Sequence, residues 1–274
     1  MTALALPAPI GRLPILSELV ERQRTLAFYG FATLLLAFVA LALQAVDPRT
    51  LHGVSVWVKP AKFLLSVGVF ALTAAWLWGY VRPERRDSPA LRWTARTLVA
   101  SASFELLYIA LQAGRGLDSH FNTSSPVHIV MYALMGVAAV VLVGTTLPLA
   151  WEIARRPRRG LSRDFVAAVV AGLLLTFLLG GALGGYMSAQ PGHSVGAEGG
   201  RLFFFGWNRS GGDLRIAHFL GIHVQQAIPL LAALVAGWSV RARWAALGAG
   251  TLLYVALTLA IFLQAVAGRS LLPL

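Results

Sequence analysis

The sequence predicts an all-α protein that crosses a membrane seven times. Hydrophobic residues make up 57% of the 274 residues and charged residues only 12%, whereas a soluble domain carries about 25% charged residues. Seven apolar windows approach the roughly 20 residues that a helix needs to cross the hydrocarbon core of a bilayer. Because so few charged residues cannot cover a surface that faces water, we expect the lipid bilayer to surround most of the chain.

The net charge of +12 would suggest a nucleic-acid partner in a soluble protein. Arginines that flank membrane spans produce the same excess, so we expect no nucleic acid to bind. The sequence has no cysteine, which excludes disulfides, thiolate metal sites and cysteine nucleophiles.

Residues 1–26 are predicted to form an N-terminal segment at the membrane interface. Residues 1–14 lack the apolar core and cleavage site of a signal peptide. Residues 13–25 combine apolar and charged positions as a short amphipathic helix does. A single transmembrane domain is then predicted over residues 27–267, with a tail at residues 268–274.

The seven windows are separated by short connections and one long loop. They cover residues 27–46, 56–80, 93–113, 126–151, 165–186, 216–238 and 244–267. Ser88 and Ser125 each precede a proline, which predicts an N-cap hydroxyl followed by proline in the first turn of a helix. Asp213 can cap the sixth helix in the same way.

The long loop, residues 187–215, contains seven glycines and an apolar run at residues 202–207. Long loops of this kind are uncommon unless they are functional or disordered. We expect this one to fold back onto the membrane surface as a lid, and the alternative is an ordinary interfacial loop with aromatic residues.

Basic residues predict the orientation of the chain. Fourteen of the 23 lysines and arginines precede the first span or follow spans two, four and six, while the short opposite connections contain only Arg49 and Arg115. The positive-inside rule then places the N-terminus in the cytoplasm and the C-terminus outside. In that orientation all six histidines are extracytoplasmic. We therefore expect a multi-pass protein of the bacterial inner membrane that receives a small-molecule or lipid ligand from outside.

Polar residues of the third span lie on one face of a helix. The stripe consists of Ser101, Glu105, Tyr108, Gln112 and, past its outer end, Arg115. An ionisable group in a membrane is costly and usually faces a cavity or the protein interior. Lys62 is the candidate partner of Glu105. The alternatives are a purely structural ion pair and lysines, Lys59 included, that extend to the headgroups.

His218 and His223 of the sixth span are five residues apart, so they point in different directions around a helix. We expect one to meet His128 or Glu105 and the other to meet the long loop. The candidate metal ligands are His120, His128, His193, His218 and His223. The candidate cofactor-binding residues are His128, His218, His223 and Arg115. The candidate catalytic residues are Glu105, Lys62, Asp213 and Arg215. Structural roles, such as helix capping by Asp213, are the alternative for each.

Four motifs extend from the second span to the sixth. They are WVKPAKF at 57–63, Gln112 with Arg115-Gly and SHFN at 119–122, HSVG at 193–196, and GDLRIAHF at 212–219. In these motifs the chain resembles a group of uncharacterised bacterial multi-spanning membrane proteins. The resemblance covers nearly the whole chain from the second span onward, and it implies the seven-span architecture without a mechanism.

The leading hypothesis for function is a haem- or metal-binding redox or cofactor-handling protein, because histidines from facing helices can hold a haem or a divalent metal. Glu105 would carry protons, and Lys62 and Arg215 would hold an anionic partner. A proton-coupled transporter, a zinc-dependent hydrolase acting on a lipid or amide, and an assembly factor are the alternatives.

The fifth span contains Gly180-x-x-x-Gly184. This spacing allows helices to approach closely, either within the chain or between copies of it. A homo-oligomer through the fifth span is therefore a further expectation.

Overall fold

Helices account for most of residues 15–202 and 205–272, which a computed structural model describes. The helices are α1 (Ile15–Arg22), α2 (Arg24–Val46), α3 (Val58–Trp78), α4 (Pro89–Arg115), α5 (Pro126–Gly144), α6 (Thr146–Arg155), α7 (Arg163–Ser188), α8 (Leu214–Leu234) and α9 (Val240–Val266). Seven helical stretches of this part of the chain are long and apolar enough to cross a membrane, with α5 and α6 forming one of them. The predicted all-α class and the seven candidate spans are confirmed, whereas the orientation of the chain stays a prediction. The predictions for residues 1–14 lie outside the described residues.

Helix starts follow the capping signals of the sequence. The Ser88 hydroxyl accepts a hydrogen bond from the Leu91 amide, and the Ser125 hydroxyl accepts one from the His128 amide. A capping hydroxyl satisfies an amide that has no partner within the helix. The fourth helix therefore begins at Pro89, four residues before its apolar window.

The fourth predicted span is interrupted between α5 and α6. Pro148 lies in the first turn of α6, and a proline has no amide hydrogen for the carbonyl four residues earlier, which is that of Gly144. The Thr145 and Thr146 hydroxyls donate to the carbonyls of Leu142 and Val143. Proline and threonine together account for the break.

The described chain divides into two compact units, each of which we describe by itself. The N-unit, residues 15–160, contains α1–α6 and a hairpin of β1 (Thr50–Leu51) and β2 (Val54–Ser55). In it, α2 packs closely along α3, with Gly30 against Leu72 and Gly68 against Leu34. Alanines and leucines of both helices, including Ala37 and Leu64, form a buried cluster.

One end of the N-unit is rich in arginine, and we call it the arginine end. The Arg22 guanidinium lies 3.9 Å from the centre of the Trp76 ring and donates to the Trp76 carbonyl. Arg85 forms an ion pair with Glu152 at 2.9 Å. These arginines close helix ends, as expected of membrane-flanking anchors.

The C-unit, from residue 161 onward, consists of α7, α8, α9 and a short pairing of β3 (Ser194–Val195) with β4 (Gly212–Asp213). Gly180 lies against Ile222, and Gly184 lies against His218. The glycine motif of the fifth span therefore brings α7 close to α8 within the chain. Oligomerisation stays a prediction.

The long loop contacts the start of α8. The Phe205 ring stacks on Trp207 at 4.4 Å, and both rings meet Phe219 edge-on. Phe219 in turn lies 4.2 Å from the ring of His223. The loop is thus folded back onto its own helix, while Phe203 and Phe204 of the apolar run lie outside the described residues.

Candidate functional site

The turn after α4 supplies the central residue of the site. Gly116 ends α4 in the left-handed conformation at φ 69°, where glycine is favoured. The side-chain amide of Gln112, which is fully buried, donates to the Asp118 carbonyl at 3.0 Å. Asn122 donates to the same carbonyl at 2.9 Å. The Gln112 amide attaches the turn to α4, and the Asn122 amide closes the turn on either side of His120.

The turn also carries backbone strain beside His120. Phe121 has a φ of 56°, a left-handed conformation that bulky residues rarely adopt. Such a residue costs on the order of 1–3 kcal/mol and persists only where surrounding contacts enforce it. The strain therefore indicates that the contacts around His120 determine the turn, rather than its intrinsic preference.

The hairpin between α2 and α3 supports the turn from the other side. His52 contacts the Asp118 carboxylate at 2.8 Å, and Arg49 donates to the Gly114 carbonyl at 2.8 Å. Asp47 accepts hydrogen bonds from Arg49 and from the Trp57 indole. The hydrogen bonds from Arg49 contribute most to holding the pKa of Asp47 well below its usual range.

Three ionisable side chains from separate elements meet at this turn. The Lys59 ammonium of α3 lies 3.0 Å from Nδ1 of His120, and the Ser119 hydroxyl lies 3.1 Å from the same nitrogen. On the other side of the ring, Nε2 lies 4.0 Å from Oε2 of Glu105. We call Lys59, His120 and Glu105 the Lys–His–Glu array.

The array determines the tautomer of His120. An ammonium group only donates hydrogen bonds, so Nδ1 accepts from Lys59 and a neutral imidazole carries its proton on Nε2. Burial, and secondly the positive charge of Lys59, lower the pKa of His120 well below its usual value. His120 is therefore neutral at pH 7, with its N–H on the side of the Glu105 carboxylate.

Aromatic rings enclose the imidazole. The Phe63 ring lies 5.7 Å from that of His120, and the Tyr132 ring lies 5.9 Å away. Lys59 also lies 5.8 Å from the centre of Phe63, within the range of a cation–π contact. The aromatic surroundings limit access of water and strengthen the electrostatic interactions within the array.

Two buried oxygens beside the array have no hydrogen-bond partner among the described residues. They are Oε1 of Glu105 and the Tyr108 hydroxyl. The two residues are three positions apart in α4, so they lie on the same face of the helix. A buried polar atom without a partner is unfavourable by about 1–3 kcal/mol. Each of these oxygens would be stabilised by a proton, a water molecule or a polar ligand group.

The other candidates of the N-unit have separate surroundings. Arg115 donates to Gln112 at 3.4 Å and so belongs to the support of the turn. Nδ1 of His128 contacts the hydroxyls of Ser124 and Ser125 at the start of α5. Lys62 is partly buried one turn after Lys59, and its pairing with Glu105 stays a prediction.

In the C-unit, the buried Asp213 forms an ion pair with the partly buried Arg215 at the start of α8. The Asp213 carboxylate accepts from the amide and guanidinium of Arg215 and from the Asn208 amide. Burial favours a higher pKa for Asp213, but the hydrogen bonds and charge of Arg215 outweigh it and lower the pKa. Asp213 therefore caps α8 as predicted, with its carboxylate fully engaged.

The two histidines of α8 have different neighbours in the C-unit, as their spacing predicts. His218 packs against Gly184, and His223 contacts Phe219. Among the described residues, no three histidine, aspartate or glutamate side chains are grouped as metal ligands. Binding of haem or a divalent metal by His128, His218 and His223, and of metal by His120 and His193, stays a prediction.

The sequence assigned Glu105 and His120 to a polar site, but it did not predict that His120 would lie between Glu105 and Lys59. Lys59 and His120 are separated by 61 residues, and no local periodicity relates them. The enclosing rings of Phe63 and Tyr132 were also missed. The one available signal was the spacing of Lys59 and Phe63, which places both on one face of α3.

The fold defines a class of protein: it is helical, and seven stretches of the described residues are long and apolar enough to cross a membrane. The chain matches no protein family, no curated protein and no solved structure. A proposal for function therefore depends on the chemistry of its own residues.

Proposed function

We propose that the protein is a proton-coupled membrane transporter whose proton-accepting site is the Lys–His–Glu array. One observation carries the proposal: His120 has a cation on one ring nitrogen and the Glu105 carboxylate 4.0 Å from the other. Carboxylate and imidazole groups inside transporters commonly form proton relays.

The array has the connections that a relay requires. His120 passes its Nε2 proton to Glu105 and takes a proton from Lys59 at Nδ1, which leaves all three groups neutral. Lys59 then regains a proton from solvent. The first transfer needs the 4.0 Å separation to shorten by roughly 1 Å, since hydrogen bonds between nitrogen and oxygen span about 2.7–3.2 Å.

The array lies at the end of the N-unit that the positive-inside rule assigns to the outside. In the direction of the arginine end, the next polar groups of α4 are occupied, because Ser101 and Thr94 donate to carbonyls of their own helix. In this conformation the protons of these two hydroxyls therefore do not extend the array toward the arginine end. The transporter proposal requires a second conformation that connects Glu105 to the cytoplasmic side.

Proteoliposomes containing a pH-sensitive dye test the proposal. Amino acids, organic cations and weak acids are added outside, and we expect a member of one class to trigger proton movement. Glu105→Gln keeps the shape of the side chain but cannot ionise, so we expect it to reduce that movement by at least tenfold. Glu152→Gln is the matched control, because Glu152 is a buried carboxylate of the same unit outside the array.

Three results would contradict the proposal, and the first two would overturn it outright. One is the absence of proton movement with every solute class in protein that remains monodisperse. The other is equal movement by the wild type and the Glu105→Gln variant. A loss in both glutamate variants would show a general effect of removing buried charge, and it would equally contradict a specific role for Glu105.

A further inference from the structure

The C-unit contains a second polar site that the proton-transfer proposal does not use. A partly enclosed cavity of about 240 Å³ lies between the long loop and the start of α8. Its lining residues are His193, Ser194, Glu198, Gly199, Gly200, Arg201, Gly206, Asn208 and Arg215. At roughly 30 Å³ per water molecule, this is the space of about eight waters, which is sufficient for a small organic ion.

The backbone of the cavity is built to lie close to a ligand. Gly200 and Gly206 adopt φ values of 47° and 66°, where other residues are strained. Without side chains at these positions, a ligand can reach backbone groups directly. Asn208, which is buried, holds the loop in place by accepting from the Gly199 amide and donating to the Ala197 carbonyl.

The charged side chains that line the cavity differ in whether they are already paired with other groups of the protein. Arg215 uses Nε and Nη2 to bind Asp213 and the Gly206 carbonyl, so its charge is largely balanced. Arg201 and Glu198 lie exposed at the rim. Neither of these two side chains takes part in an ion pair with any residue that the structure describes. The rim thus offers one cation and one anion to a ligand.

His193 adds no charge at neutral pH. Burial, and secondly the nearby charge of Arg215, lower the pKa of His193 to about 4. The imidazole is therefore a neutral polar group in the wall of the cavity. With Arg215 balanced by Asp213, the cavity presents a complementary pair of opposite charges rather than a purely cationic surface.

We propose that this cavity binds a zwitterionic group in which a primary ammonium and a phosphate or carboxylate are a few bonds apart. Glu198 receives the ammonium, and Arg201, with the remaining Nη1 donor of Arg215, receives the anionic oxygens. Such a group occurs in free amino acids and phosphoethanolamine. It also occurs in the headgroup of phosphatidylethanolamine, and the loop joins two helices that are candidates to cross a membrane.

Two binding arms distinguish the sources. Detergent-solubilised protein is titrated calorimetrically with O-phosphoethanolamine and with L-alanine, and ethyl phosphate and ethylamine serve as the isolated anion and cation. Protein in nanodiscs is then compared by native mass spectrometry after exposure to phosphatidylethanolamine, phosphatidylcholine and phosphatidylglycerol. We expect a zwitterion with a primary ammonium, free or lipid-borne, to bind at least tenfold more tightly than either isolated ion or either other lipid.

Arg201→Gln and Glu198→Gln should each weaken this binding by at least tenfold, since each removes one of the two charges. Arg269→Gln is the control, because Arg269 is an exposed arginine of the same unit outside the cavity. Equal binding of ethyl phosphate, or unchanged binding in Glu198→Gln, would overturn the zwitterion proposal in favour of an anion site. Absence of binding in both arms would overturn it altogether. None of these results depends on proton movement through Glu105.

Discussion

Glu105 is an ionisable residue on a helix long and apolar enough to cross a membrane, and its side chain is 7% exposed. Placing a carboxylate at such a position costs about 2.5–3.5 kcal/mol on insertion scales, so other groups of the protein must offset this free energy. The compensation comes from outside its own helix, through His120 and the lysine behind it. The chemistry of the site is therefore a property of three residues together.

Replacing Lys59 by methionine should raise the pKa of His120. The charge of Lys59 is one of the two causes that lower this pKa, and methionine keeps an unbranched side chain one atom shorter, without the charge. Burial remains, so the pKa should stay below its usual value. Nuclear magnetic resonance of ¹⁵N-labelled histidine during a pH titration measures the change.

Lys62→Met is the comparison for that experiment. Lys62 lies on the same helix, one turn along from Lys59. Its charge is not among the causes that lower the pKa of His120, so its replacement should affect the His120 titration less. If the two lysine variants shifted the titration equally, the contact of Lys59 with Nδ1 would not be the cause. An unchanged titration in Lys59→Met would contradict the assigned tautomer.

The packing of α7 against α8 depends on glycines that have no room for a side chain. A β-carbon at Gly221 would lie 3.0 Å from the backbone of Leu179, whereas one at Gly181 would meet nothing within 4 Å. The two positions are on neighbouring helices of the same unit, and so they form a matched pair for testing close approach.

Gly221→Ala should lower the stability of the protein by about 1–3 kcal/mol, because the two helix backbones must separate. Gly181→Ala should be neutral or stabilising by up to about 1 kcal/mol, since alanine favours helix over glycine. Thermal unfolding in detergent measures both variants. A smaller effect at Gly221 than at Gly181 would show that α7 and α8 do not pack as described.

The individual helices could largely be predicted from the sequence. Their apolar windows were correct to within a few residues, and the serines at 88 and 125 marked two of the starts. The interruption at Thr145 was not predicted, because the hydropathy on either side of it is continuous. A proline near a helix start is ambiguous in sequence, since it suits the first turn of one helix and interrupts a longer one.

The candidate sites were less predictable than the helices. Periodicity gave the face of α4 that carries Glu105, but it does not give the rotation of α3 or the path of a ten-residue turn. Those depend on contacts such as Gln112 with Asp118 and His52 with Asp118. The cavity of the long loop likewise could not be predicted from the sequence, because glycine-rich segments have no periodicity that indicates their fold.

The orientation of the whole chain can be measured with single cysteines, since the sequence contains none. Ala197→Cys, in the long loop, should react with a membrane-impermeant maleimide added to intact cells. Arg159→Cys, between the fourth and fifth spans, should react only after the membrane is permeabilised. We expect this labelling pattern because the positive-inside rule assigns the arginine-rich connections to the cytoplasm.

Both positions are exposed, so poor reactivity cannot be attributed to burial in the protein. Labelling with the reverse pattern would show that the chain has the opposite orientation in the membrane. The Lys–His–Glu array and the zwitterion cavity would then face the cytoplasm, and their ligands would be cytoplasmic. Equal labelling at both positions in intact cells would contradict the membrane-crossing arrangement itself.

The attachment of the turn to α4 has a mechanical consequence. Gln112 ties the turn to the helix that carries Glu105, so a displacement of α4 carries the backbone of both His120 and Glu105 with it. Lys59 and Phe63 belong to α3 and move with that helix instead. The hydrogen bond from Lys59 to Nδ1 of His120 is one of the contacts that connect these two parts. A proton on Nδ1 would remove this hydrogen bond and place two N–H groups against each other, so protonation of His120 would weaken the attachment of α3 to the turn.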